Sequence, residues 1–313
     1  IIYIKHLKGA IQMIGDMQKW TPNVAGIIEH AREIHPKTEI ISRLVSGEIH
    51  RSNYEKVCIR SRKLASALEK DGVKKGDVIA TLALNTYRHL EMYYGISGMG
   101  AITHTLNFRL HPEQAVYIIN HAEDKIIFVE LPFVPILEAL QENLKTVEKY
   151  VVLCEVDEMP ETNLKNAISY EEYIQDGDEN YSWPTLEDDA ACALCYTSGT
   201  TGNPKGVLYS HKSNVIHAQA ALTAMTIKPD DTILMVVPLF HVLAWGIPYF
   251  GPMNGLKLVM PGMQMEGEPL FELIDQEDVT LAFGVPTIWM GLLAYCRDNC
   301  LLYTSDAADD SGC

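Results

Sequence analysis

The 313-residue chain is long enough to bury a large core and to form about two domains. With 47% hydrophobic and 21% charged residues it has the composition of an ordinary globular protein. A formal net charge of −16 argues against a nucleic-acid or anionic-membrane surface.

In chain order, Thr21-Pro22 reads as a cap and first-turn pair opening a helix to about His35. A hairpin follows, Glu39 to Leu44 and Glu48 to Arg51, turning at Ser46-Gly47. Ser52-Asn53-Tyr54-Glu55 has the spacing of a capping box. It opens a helix with Tyr54, Val57, Cys58, Leu64, Ala65 and Leu68 on one face, which Gly72 stops. Strands and helices then alternate: strands at 77–84, 101–105, 125–130 and 150–154, helices at 86–98, 112–121 and 133–144. This alternation predicts an α/β fold with parallel-rich sheets flanked by helices. Between Glu155 and Asp189 twelve acidic residues face only Lys165, a pattern that reads as a solvated loop and helix face. His89, His104, His111 and His121 have no carboxylate or cysteine partner at ligand spacing and read as structural or surface residues.

The most informative stretch is Tyr196-Thr197-Ser198-Gly199-Thr200-Thr201-Gly202-Asn203-Pro204-Lys205-Gly206. It lies between the apolar run Ala190 to Leu194, a buried strand, and a second short strand, Val207-Leu208-Tyr209. Glycines let the backbone turn and bring its N–H groups close to a ligand, and successive N–H groups form a concave anion site. The hydroxyls add donors, and Lys205 adds a point charge on a flexible stem. The stretch therefore reads as a phosphate cradle for a nucleoside triphosphate. A Walker A loop is excluded by spacing. Counted from Gly199, the second glycine position is Pro204, and Gly206 follows Lys205 where a hydroxyl residue is needed.

Beyond the cradle, helices are predicted at 212–225, 269–276 and from 286 through Tyr295, and strands at 231–237, 257–260 and 280–283. The apolar segment Ile233 to Met253 is interrupted by Pro238, His241, Pro248 and Pro252, which fits a strand, a turn and a buried helix better than a membrane span. Within it, Pro238-Leu239-Phe240-His241-Val242-Leu243-Ala244-Trp245-Gly246 places a histidine at a strand end, where open α/β sheets meet ligands. Trp245, four residues after His241, would share a helical face with it. A packed aromatic pair is the plain alternative. Met253, Met260 and Met263 fit core filling as well as a pocket lining. The seven cysteines are scattered and odd in number. Cys192-x-x-Cys195 lies inside a strand and reads as a pair of core thiols in a reducing compartment.

The cradle resembles the signature loop of the adenylate-forming superfamily at every position. Together with Phe240-His241-Val242, and with Gly284-Val285-Pro286-Thr287 and Trp289, it looks like a fatty-acyl-CoA synthetase, close to bacterial medium- and long-chain members and to relatives that activate short thio-substituted acids. The resemblance covers roughly Met13 to Asn299. It implies the large N-terminal domain of an ATP-dependent acid–thiol ligase, with ATP, Mg²⁺ and CoA as cofactor and co-substrates. It assigns Ser198, Gly199, Thr200, Thr201, Gly202 and Lys205 to the β- and γ-phosphates, and Thr197 to the phosphates and also to Mg²⁺. His241 and Val242 would lie at the acyl-adenylate, and Trp245 would gate or floor the acyl tunnel. Superfamily members that load α-amino acids carry an aspartate directly after the phenylalanine. His241 stands there instead, which favours an uncharged, mostly apolar acid.

The family's Tyr-Gly-x-Thr-Glu and Thr-Gly-Asp segments, and the small C-terminal domain with its lysine, do not occur in this sequence. Residues 1–12 are expected to be a non-native or disordered leader, 13–299 a partial AMP-binding domain, and 300–313 a non-native tail. On that reading the chain alone has little ligase activity. A cytoplasmic location and a homodimer are expected. Two alternatives stay open: adenylation for another chemistry, such as a luciferase-like oxidation or carrier-protein loading, and a non-catalytic nucleotide-binding module.

Overall fold

Residues 21–197 and 203–301 are described in a computed structural model of the protein. Its strands are β1 (Glu39–Arg43), β2 (Ile49–Asn53), β3 (Val78–Leu82), β4 (Ile102–Thr105), β5 (Ile126–Val129), β6 (Lys149–Val152), β7 (Ala167–Ser169), β8 (Ala191–Thr197), β9 (Lys205–Ser210), β10 (Thr232–Leu234), β11 (Lys257–Met260) and β12 (Leu281–Ala282). Its helices are α1 (Val24–Ile34), α2 (Tyr54–Lys70), α3 (Tyr87–Gly98), α4 (Pro112–Ala122), α5 (Val134–Leu140), α6 (Tyr170–Gln175), α7 (His211–Ala224), α8 (Ile247–Asn254), α9 (Gly267–Gln276) and α10 (Pro286–Asp298). One sheet has the order β12-β10-β11-β1-β2 and the other β7-β6-β5-β3-β4-β8-β9. Both are parallel except for one antiparallel edge strand each, β2 and β9. The predicted parallel-rich α/β architecture is the one observed.

The sequence of β5 shows why these sheets are covered on both faces. Ile126 and Phe128 enter one apolar cluster, while Ile127 and Val129 enter another on the opposite face. Alternate strand residues point to opposite sides, so a continuous apolar run needs helices above and below it. In β10 and β11, Ile233, Leu258 and Met260 likewise join the cluster between the sheets, while Leu234 and Val259 face outward to a fourth one. Helix α3 is buried along its whole length and touches β1 of one sheet and β3, β4 and β8 of the other. It is the middle layer. The turn at Gly262 seals the same region, where φ is +62° and an added Cβ would come within 2.2 Å of the Arg43 carbonyl oxygen.

Several local expectations are corrected. Helix α1 is capped by Asn23, whose side chain accepts from the Gly26 N–H, and not by Thr21. Helix α2 is capped by Asn53, which accepts from the Lys56 N–H, so Ser52 does not start a capping box. Substituting Asn53→Ala is expected to lower the unfolding free energy by about 1 kcal/mol in urea denaturation, because one amide of the first turn then loses its acceptor. The 133–144 helix is shorter, with α5 flanked by 3₁₀ turns. The acidic run contains β7 and α6, and two of its members are ion-paired to the half-buried Arg60 and the buried Arg88. Arg60 holds Glu171 through two 2.8 Å bonds, and Arg88 holds both Glu171 and Glu155.

The histidines keep their structural reading, with one change. His104 does have a carboxylate partner, Asp124, at 2.8 Å, both side chains being fully buried. Cys58, Cys154, Cys192, Cys195 and Cys296 are buried thiols, as expected of core cysteines. Met260 is fully buried, Met253 packs against the core, and Met263 is exposed. Among the described residues no helix is long and apolar enough to cross a membrane.

Candidate active site

The cradle loop is held by its two strands. β8 and β9 pair in antiparallel register with Thr197 opposite Lys205, and the Thr197 hydroxyl donates to the Lys205 carbonyl at 3.4 Å. Ser198, Gly199, Thr200, Thr201 and Gly202 lie outside the described residues. Thr197 and Lys205 are both exposed at the loop end of this hairpin. Apolar residues of β8 explain the hairpin's seat. Cys192, Ala193 and Cys195 are buried in the cluster between the sheets, which leaves the polar end of the strand projecting from the core.

Beside the hairpin lies a cavity of about 390 Å³. Thr105 of β4, Cys195, Tyr196 and Thr197 of β8, and Tyr209 of β9 form one side. Phe240, His241 and Val242 form another, and Asn107, Leu110, Gln114, Ile118 and Pro204 complete it. The structure thus brings Thr197, His241 and Val242, predicted from separate stretches, to one cavity. Lys205 and Trp245 are not among its walls. Sequence reading also missed Thr105, Asn107, Gln114, Tyr196 and Tyr209, which carry no motif of their own apart from Tyr196 at the head of the cradle.

The helical geometry expected for His241 and Trp245 is not observed. His241 has an extended backbone, and Val242, Leu243, Ala244 and Trp245 follow with φ of 39°, 45°, 47° and 54°. That is a left-handed turn, so a four-residue spacing does not place the two rings on one right-handed helix face. Each such residue brings Cβ close to the next carbonyl, at a cost of about 1–2 kcal/mol. Burial of Leu243 and Ala244, and a 2.9 Å bond from the Ala244 N–H to the His241 carbonyl, hold the turn in place. Val242 and Trp245 are left 49% and 39% exposed, as strained segments at ligand sites often leave their side chains.

The electrostatics of the cavity are nearly neutral. Among the described residues no Asp, Glu, Lys or Arg side chain is part of its walls. Burial pushes the Tyr196 hydroxyl up to about 12, and its oxygen stands 2.6 Å from His121 Nδ1. Burial also raises the Cys195 thiol and pushes Cys192 up to about 12, so neither offers a thiolate nucleophile near neutral pH. Among the described residues no cluster of three His, Cys, Asp or Glu side chains could hold a metal ion. The Thr197 hydroxyl is a hard oxygen donor of the kind Mg²⁺ takes alongside nucleotide phosphates.

The strand–loop–strand cradle beside a cavity is matched at the level of the whole chain, because the AMP-binding enzyme family covers residues 28–309. The chain belongs to that family. It is 46% identical over 284 residues to the medium-chain-fatty-acid–CoA ligase of Ectopseudomonas oleovorans, covering 90% of this AMP-binding chain and 52% of that protein. It is 45% identical over 285 residues to the 3-methylmercaptopropionyl-CoA ligase of Ruegeria lacuscaerulensis, covering 90% and 53% of the two chains. The chain thus spans about half the length of these relatives. Among solved structures, a long-chain-fatty-acid–CoA ligase from Archaeoglobus fulgidus superimposes with a TM-score of 0.78 at 23% identity, over 91% of this chain and 56% of the other. The anthranilate CoA ligase AuaEII in complex with anthranoyl-AMP gives 0.79 at 22% identity, over 88% and 52%. These two likenesses establish the fold of an AMP-binding domain.

Proposed function

We propose that the complete protein activates an apolar carboxylic acid, of fatty or similar type, with ATP and passes the acyl group to CoA. The observation that carries this reading is the cavity beside the cradle hairpin, which among the described residues has no acidic side chain in its walls and is lined on one side by Phe240 and Val242. An α-amino acid would bring an ammonium group into that space without a counter-charge, and burying an unpaired charge is unfavourable. In the first half-reaction a carboxylate oxygen bonds to the α-phosphorus of ATP and pyrophosphate leaves. In the second, the CoA thiolate bonds to the acyl carbon and AMP leaves.

In this reading Ser198, Gly199, Thr200, Thr201, Gly202 and Lys205 hold the β- and γ-phosphates, where positioning and charge neutralisation supply most of the rate. Thr197 would join the phosphates as a Mg²⁺ ligand, the metal's contribution being to neutralise phosphate charge. His241 and Val242 would contact the acyl-adenylate. Trp245, outside the cavity wall and partly exposed, would act as a gate at its edge. Cytoplasmic location, dimerisation and low activity of the 313-residue chain by itself belong to the same proposal.

Acid-dependent release of pyrophosphate, measured with the complete protein on a panel of straight-chain acids and α-amino acids, tests it. Turnover with the former, and acyl-CoA plus AMP as products, is expected. Preference for an α-amino acid, or adenylate formation without any thioester in the presence of CoA, would overturn the reading.

A further inference from the structure

The cavity has walls from both sheets. Thr105 and Thr197 belong to the seven-stranded sheet, and Phe240 and His241 to the chain leaving β10 of the five-stranded one. Its width therefore depends on what fixes one sheet to the other at their carboxyl ends. One side chain bridges the two directly at three points. Asn85, in the turn between β3 and α3, is 2% exposed. Its amide nitrogen donates to the Met235 carbonyl at 2.7 Å and to the Val237 carbonyl at 2.8 Å, while its oxygen accepts from the Leu239 N–H at 2.8 Å. Both donors and an acceptor lone pair of the amide are used. The Asn85 backbone carbonyl also accepts from the Gly262 N–H at 3.2 Å.

These bonds lie where the strand ladder gives out, its last bond being from the Met235 N–H to the Val259 carbonyl at 2.8 Å. β10 ends at Leu234 and the left-handed turn begins at Val242. Buried peptide groups in between need acceptors and donors from elsewhere, and Asn85 supplies them at three points. Two further anchors come from nearby elements: the Tyr93 hydroxyl donates to the Leu239 carbonyl, and the Thr105 hydroxyl to the Phe240 carbonyl at 3.4 Å. Phe240 and His241 follow directly on this pinned segment. No other amino acid offers the same set at this length. Aspartate lacks the two donors, and glutamine is one methylene longer.

We propose that Asn85 is the positioning residue of the acid pocket: by clamping residues 235–239 it sets the distance between the His241 wall and the Thr197 wall, and with it which acyl groups are accepted. The proposal rests on the acid-activating function above, and its test separates the two.

Asn85→Ala in the complete protein is expected to raise the acid KM by about tenfold or more, the loss of a buried hydrogen-bond set, with ATP KM changed less than about twofold. Preference among acids of different chain length should flatten. A role confined to stability would reduce the active fraction and leave acid KM and chain-length preference as they were. Hydrogen exchange of the 313-residue chain supplies a reading independent of activity. Amides from Leu239 to Trp245 should exchange faster in the variant while those of β5 do not.

If the unmutated protein activates no acid, the functional reading fails, and exchange alone decides the clamp. Faster exchange confined to residues 239–245 upholds it; unchanged or uniformly faster exchange overturns it. Should Asn85→Ala not fold, Asn85→Asp gives the same readings. It keeps the acceptor for Leu239 but faces two carbonyl oxygens, so its defects should ease as the pH falls and the carboxyl gains a proton. Unchanged acid KM and exchange in that variant at all pH values would also sink the proposal.

Discussion

Replacing Arg60 with alanine is expected to lower the unfolding free energy by about 3–5 kcal/mol, the usual consequence of removing one partner of a buried ion pair. Arg60 on α2 reaches two carboxylates at once. Its Nε lies 2.7 Å from Glu91, which is completely buried on α3, and its terminal nitrogens grip Glu171 of α6 at 2.8 Å. Burial raises the Glu91 carboxyl, and Arg60 opposes that shift. Burial pushes Glu171 the same way, but Arg60 and Arg88 hold it below the ordinary carboxylate range. Without Arg60, Glu91 keeps only the Tyr170 hydroxyl, 2.8 Å away, and Glu171 keeps Arg88. Urea denaturation across pH should show the defect shrinking in acid, because a protonated Glu91 needs no counter-charge. A defect of under about 1 kcal/mol would place the pair in the class of solvent-screened surface bridges instead. Arg60→Lys should recover little, since a single ammonium cannot reproduce the fork that spans Glu91 and Glu171.

The second large effect has the opposite sign. Glu130, at the carboxyl end of β5, is 4% exposed, and its carboxylate accepts one hydrogen bond, from the Leu84 N–H at 3.2 Å. Burial pushes its pKa from 4.5 up to about 7, with the Leu84 bond and the Arg88 charge opposing the rise. The folded protein thus binds a proton more tightly than the unfolded chain. Its contribution to stability is complete below pH 4.5 and is lost as the pH rises towards and through 7. At about 1.4 kcal/mol per unit the loss by pH 8 is about 3 kcal/mol. Glu130→Gln keeps an acceptor for Leu84 and removes the ionisation. It should be more stable than the parent at pH 8, equal to it near pH 4, and flatter between. Urea midpoints measured from pH 4 to pH 8 decide this, and identical slopes for parent and variant would refute it.

How far the sequence could be read depended on how local the determining contacts are. The strands β3 to β6 are legible because each is a short apolar run bounded by turns, and β5 makes the point with four buried residues in succession. The strand β7 and helix α6 are not, because they sit in an acidic run and owe their place to Arg60 and Arg88, far earlier in the chain. The caps show a finer limit. Thr21 and Asn23 are both competent N-cap residues, and what selects Asn23 is that Val24, Ile27, Ile28 and Ala31 then meet the core together. At the site, Thr197, His241 and Val242 are legible through the family resemblance of their two stretches, and all three line one cavity. Trp245 is misplaced because a four-residue spacing means a shared face only in a right-handed helix, and the backbone there turns the other way. Asn85 gives no local signal at all, since each of its side-chain partners lies about 150 residues downstream.

The five-stranded sheet has a consequence for how the protein is made. Its β1 must find β11, with Ser42 opposite Met260, so more than two hundred residues separate the partners. At roughly 5–20 residues per second, the ribosome needs about 10–40 s after releasing the first strand before the second can emerge. Over that interval Ile41, fully buried in the finished fold, lacks its apolar neighbours Leu234, Val236 and Val259, while Ile40 can already meet residues of α1, α2 and α3. The seven-stranded sheet, whose β3 to β7 pair within one continuous stretch, can assemble in the meantime. The nascent chain therefore carries an early-folding half and a late-closing half, and β1, paired early with β2, is among the last strands to gain its second neighbour.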